Sequence, residues 1–143
     1  MGFSGIKRLG VDPSKRSSTI EHKLGERIID DEGRVLVYIL ANGAIGAGVP
    51  VKLAAGFDCP PAGSGGAVFG VAEVAFADNE YGWVIVQGKV VDAQVETGTS
   101  AGAALIRDAD ANGDLEAVTA ATDAQVGVAL EAESGGVADV YLF

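Results

Sequence analysis

Residue types that carry much of enzyme and metal chemistry are nearly missing from this chain of 143 residues. It has one histidine, His22, one cysteine, Cys59, one tryptophan, Trp83, and one methionine. A single thiol excludes an intrachain disulfide, a cysteine-cluster metal site and a CxxC redox pair. A lone cysteine fits a protein made in a reducing compartment. Aromatic residues make up only 6% of the chain. No apolar run approaches the roughly 20 residues of a membrane-spanning helix. The opening "MGFSGIKRLG" lacks the apolar core of a secretory leader. The expectation is a soluble chain made in a cytosol, with neither membrane nor nucleic acid as its main partner.

Charge supports the last point. The net value is −10, and it is unevenly spread. Seven of the ten basic residues lie in the first 34 positions, against six acids; beyond Arg34 only Lys52, Lys89 and Arg107 face fourteen acids. An acidic body repels nucleic acid and anionic membrane, whereas the basic head suits an acidic protein surface.

What the chain does have is valine, alanine and 21 glycines against four prolines, a mixture suited to many short strands with tight turns. Residues 1–18, "MGFSGIKRLGVDPSKRSS", show neither helical nor strand period and read as an extended N-terminal arm. From Thr19 the texture changes to a single β domain, 19–143. A strand ends near Ile29, a turn covers Asp30–Gly33, and a second strand runs from Arg34 to Ala41. Asn42-Gly43 turns the chain, and Pro50 marks an edge or a strand start. "FDCPPAGSGG" reads as loop, and "AVFGVAEVAF" alternates so that Val68, Val74 and Phe76 point inward. "YGWVIVQGKVV", "LEAV", "QVGVAL" and "VADVYLF" supply further strands. Turn signals every ~8–12 residues predict an all-β sandwich or barrel. Helix is limited to one short piece, with "TSAGAALIRDADA" and "VTAATDAQVGVAL" as the candidates.

Tests for chemistry mostly end in scaffold. His22 lies between Glu21 and Lys23, where nothing marks a nucleophile, and reads as a surface histidine. "GAIGAG" does not match GxGxxG, and no helix follows it to face a phosphate. "GWVIVQGKV" is one residue too long for a P-loop, and Val90 stands where a magnesium-binding hydroxyl belongs. "DADANGDLEAVT" places Asp108, Asp110, Asn112 and Asp114 like the first half of an EF-hand calcium loop. Its twelfth position is Thr119 instead of glutamate, so a hairpin turn competes with weak calcium binding. Acids are too abundant for any pair to stand out as glycosidase carboxylates. The expectation is no enzyme and no cofactor.

The order "LGERIIDDEGRVLVYILANGAIGAG", "FGVAEVAFADNEYGWVIVQGKV", "AQVGVALEAES" and "VADVYLF" resembles small structural proteins of tailed-phage heads, in particular capsid decoration or cement proteins. The resemblance covers Leu24 to Phe143 and rests on texture, with no catalytic signature. It implies a compact β-barrel-like or β-tulip domain on the exterior of an expanded capsid, bound to the major capsid protein. It also implies a homo-oligomer, a trimer in that family, and an arm that pairs with capsid segments. Lys7, Arg8, Lys15 and Arg16 are then the docking residues of the arm. A head-fibre base, a capsid-lining protein, a tail-tube subunit and a carbohydrate-binding β-sandwich are the rival readings. Within "YGWVIVQGKVV", Trp83, Ile85 and Gln87 share one face and Val84 and Val86 the other. Both faces are largely apolar, which marks an interior or interface strand with Trp83 and Tyr81 as packing anchors.

Overall fold

Alternating β-branched and aromatic residues become strands wherever glycine or Asx turns bound them. The computed structural model describes residues 11–62, 66–109, 113–118 and 124–143. Among them lie β1 (Arg27–Ile29), β2 (Val35–Ala41), β3 (Pro50–Val51), β4 (Asp58–Cys59), β5 (Gly66–Ala67) and β6 (Gly70–Val71). The long β7 (Tyr81–Gln94) follows, then β8 (Ala104–Ala109), β9 (Leu115–Ala117), β10 (Gln125–Ala129) and β11 (Val137–Leu142). The only helical piece among the described residues is a 3-10 turn at Ala55–Phe57. The all-β expectation therefore holds. The alanine-rich segment after Ser100 is strand β8, because pairing with β10 and β9 outweighs alanine's weak helical preference.

The strands join in one sheet of order β1-β2-β7-β11-β10-β8-β5, almost wholly antiparallel, with β4 alongside β2 in parallel. β1 and β5 stand at opposite edges, so the sheet stays open and does not close into a barrel. Its organiser is β7. The first half, Tyr81–Gln87, pairs with β2; the second half, Gly88–Gln94, pairs with β11. The "AVFGVAEVAF" segment is not one strand: β6 ends at Val71, and Phe76 makes an isolated bridge to Ile45. Val68 and Phe76 are buried as expected, but Val74 is only half-buried, because the chain bends at 73–74.

The first half-sheet is covered on both faces. Leu36, Tyr38, Trp83 and Ile85 enter the main core. Val37, Ile39, Ala41 and Val84 enter a second cluster, closed by Ile45, Val51, Cys59 and Phe76. The main core continues under the second half through Val90, Ala93, Val140 and Leu142, with Leu105 and Leu115. Each Val, Leu, Ile or Phe among them, fully buried, contributes about 1.5–3 kcal/mol over an exposed one.

The halves meet at Gly88, whose φ of +107° suits glycine alone. A Cβ there would lie 2.9 Å from Arg34 Cγ and 3.0 Å from Arg34 Cα. Gly88→Ala is expected to cost about 1–3 kcal/mol from backbone strain before the clash is counted. A shift of the urea midpoint measures this, and an unshifted midpoint would show that β7 does not need its bend. Four residues on, Asp92 (φ 54°) forms a bulge, and the register against β11 slips between Ala138 and Val140. The Asp139 carboxylate accepts the Asp92 amide at 3.1 Å and so holds the bulge.

Turns beyond β7 are tied in a similar way. Glu133 accepts the Gly98 amide at 3.0 Å and the Gly136 amide at 2.6 Å, joining two loops through one carboxylate. These amides, Gly98 first, hold the Glu133 pKa below the ordinary value. A lowered folded-state pKa means stability present above the unfolded value of 4.5 and lost as pH falls through the folded one. Glu133→Gln is expected to lower the melting temperature slightly at pH 7 and to flatten its fall below pH 4.5, as read from melts across that range. Parallel curves for variant and wild type would remove the clamp.

Candidate functional site

A cluster of four rings sits where the N-terminal segment crosses β2 and β7. Trp83 and Tyr38 pack with ring centroids 5.0 Å apart, and Tyr81 stacks on Tyr38 at 6.2 Å. His22 completes the group, 5.1 Å from Tyr38 and 5.2 Å from Trp83. The sequence predicts a surface histidine; instead the ring is half-buried, because Tyr38 and Trp83 offer an aromatic wall that it can lie against. Its Nδ1 faces the Glu26 carboxylate at 3.5 Å, while Ser17 Oγ accepts the Thr19 amide. Trp83 is 3% exposed and belongs to the main core, with Tyr81 half-buried at its margin.

Residues 11–22 form the outer wall. Ser17 and Tyr81 exchange backbone hydrogen bonds of 3.1 and 2.8 Å, Pro13 is buried, and Val11 packs against the main core. Lys15 is exposed and pairs with Glu21 at 2.9 Å, and Arg16 donates to the Ser14 carbonyl at 2.8 Å. Lys7 and Arg8 lie outside the described residues. Between wall and aromatics is a cavity of about 50 Å³.

Three other candidates are partly accounted for. In the calcium-like loop, Asp110 and Asn112, with the Asp108 side chain, lie outside the described residues; Asp114 is half-buried beside Gly113, whose φ is +86°. Asp30, Asp31 and Glu32 gather their carboxylates in the β1–β2 turn. The Asp30 oxygens are already taken by the Glu32 and Arg34 amides and by Arg34 Nε. Cys59 is buried, and its desolvation, followed by the Asp58 charge, pushes the thiol pKa up to about 12. It stays protonated and unreactive at neutral pH.

An ionic network is the feature that sequence reasoning missed. Arg34 donates to Asp30 at 2.6 Å and to Glu73 at 2.7 Å, and is itself 8% exposed. The i,i+4 spacing of Asp30 and Arg34 across a turn was a usable signal; Glu73, 39 positions away, gave none. Beside Glu73 opens a groove of about 470 Å³, lined by Val91, Asp92 and Val137 with Ala47 and Gly48. No long apolar helix able to cross a membrane occurs among the described residues.

No protein-family model matches the sequence, and no curated protein does. Solved structures do match. Over 77% of this chain and 94% of the other, with a TM-score of 0.57 and 12% identity, the fold is similar to that of the head fiber gp8.5 N base in bacteriophage phi29.

Proposed function

We propose that this chain is a structural protein of a phage virion, seated on the outside of the head and bound to its major capsid protein. The shared fold with a phage head-fiber base is the observation that carries the reading. The sequence texture points the same way. In the form the sequence favours, the protein is a decoration or cement protein that bridges capsid subunits as a homo-oligomer. A second form, the base of a head fibre, is favoured by the structural neighbour. Both need a rigid sheet body and neither needs a cofactor.

Binding of the purified chain to expanded and unexpanded phage heads, read by co-sedimentation, tests the proposal. The expected result is saturable binding to expanded heads. No binding to either would overturn it. The temperature at which heads release DNA separates the two forms: a cement protein raises it, whereas a fibre base occupies heads without raising it.

A further inference from the structure

The two halves of the sheet differ in what covers them. β2 and the first half of β7 carry apolar clusters on both faces, but the second half has a core on one face only. Alternation along β11 sends Ala138, Val140 and Leu142 inward and Asp139, Tyr141 and Phe143 outward. An antiparallel sheet with one wet face normally presents polar side chains there. Here Tyr141 is 44% exposed, Phe143 57%, Val91 of β7 49% and Leu130, next to β10, 47%. They are neighbours: Tyr141 stands opposite Val128 on one side and Lys89 on the other, and the Leu130 amide bonds to the Asp139 carbonyl. The Lys89–Asp139 pair lies within this strip, and exposed apolar side chains gathered around a polar pair mark an interaction surface.

Charge says what fits it. Lys89, a cation of this face, is spent on Asp139 at 3.4 Å. Exposed Asp92 and Glu131 lie at the Val91–Leu130 end, and neither makes an ion pair among the described residues. Asp92 also lines the 470 Å³ groove that continues the strip. We propose that this face docks a protein surface that combines apolar side chains with a lysine or arginine, the cation entering the groove beside Asp92. The assignment rests on the function proposed above, under which the partner is the major capsid protein. A second copy fits less well, because packing this face on itself brings uncompensated carboxylates together.

The test has two arms. In the first, the full chain is titrated with an alternating Leu-Lys peptide and, separately, a Leu-Glu peptide, followed by backbone amide shifts. Shifts confined to residues 88–94 and 125–143 and to the groove positions 47–48 and 73, with the lysine peptide alone, are expected; shifts elsewhere, or equal for both peptides, overturn the proposal. The second arm compares head binding by wild type, Asp92→Asn, Tyr141→Ser/Phe143→Ser and the remote control Leu53→Ser. Asp92→Asn keeps a residue type that tolerates φ > 0. It is expected to weaken binding severalfold and to reduce its salt dependence. The double variant is expected to lose at least about tenfold, as for buried aromatic anchors. Wild-type affinity in both variants overturns the proposal, as does an oligomer that the double variant dissociates without loss of head binding. If wild type binds no heads, the reading of function fails and the peptide arm alone decides the surface.

Discussion

Arg34→Ala is expected to destabilise the fold by about 3–5 kcal/mol, the cost of breaking a buried ion pair from one side. The Asp30 side chain is completely buried, and Arg34 Nε at 2.6 Å is its cation. Without the guanidinium that carboxylate keeps the two turn amides but loses the charge that compensates its desolvation. Glu73 loses its partner at 2.7 Å as well, though it is more exposed and can regain water. The aliphatic stem matters too, since it packs over Gly88 at the bend of β7. Arg34→Lys should fall between the two, because one ammonium cannot reach both carboxylates as a planar fork does. Asp30→Asn combined with Arg34→Met should recover much of the loss, because no buried charge is then left alone. Urea titrations of the three variants measure this. An Arg34→Ala midpoint close to wild type would mean that water reaches Asp30 and the network is ornamental.

Trp83→Ala is the second large effect, about 3–5 kcal/mol for a buried aromatic truncated in a core. The indole packs against two rings, Tyr38 and His22, and each aromatic contact adds about 0.5–1.5 kcal/mol beyond its buried area. Its loss also undercuts the wall on which His22 lies, and therefore the seating of residues 11–22. Trp83→Phe keeps the ring and most of the volume and should cost less than half as much. Thermal melts followed by circular dichroism give the comparison, since the fluorescence probe disappears with the residue. A Trp83→Ala chain that melts with the wild type would place the main core elsewhere.

Local features of the fold were legible in the sequence. The strand at Arg34–Ala41, the turns at Asp30–Gly33 and Asn42-Gly43, and the two-faced apolar character of Trp83–Val86 follow from period-2 patterning and turn chemistry. The opposite fates of Trp83 and Val84, in separate clusters, are what that alternation requires. What could not be read depends on distant partners. That β7 runs on to Gln94 and changes neighbours at Gly88 is decided by β2 and β11, not by its own residues. The open edges, the tucked His22 and the link from Arg34 to Glu73 are likewise products of register between remote segments. The outer strip of Tyr141 and Phe143 looked like ordinary strand, because alternation cannot say whether a second layer covers the far side.

β7 sets the timetable of folding. Its partners lie about fifty residues away in either direction, β2 upstream and β11 at the C-terminal end, which places the chain among slow, high-contact-order topologies. During synthesis β7 can pair with β2 at once, but its second half waits for β11 to leave the ribosome. Until then the main core is open on one side, with Val90 and Ala93 unprotected. Expression at low temperature should therefore favour recovery, and a nonsense mutation that removes β11 should yield aggregate in place of a shortened but folded chain.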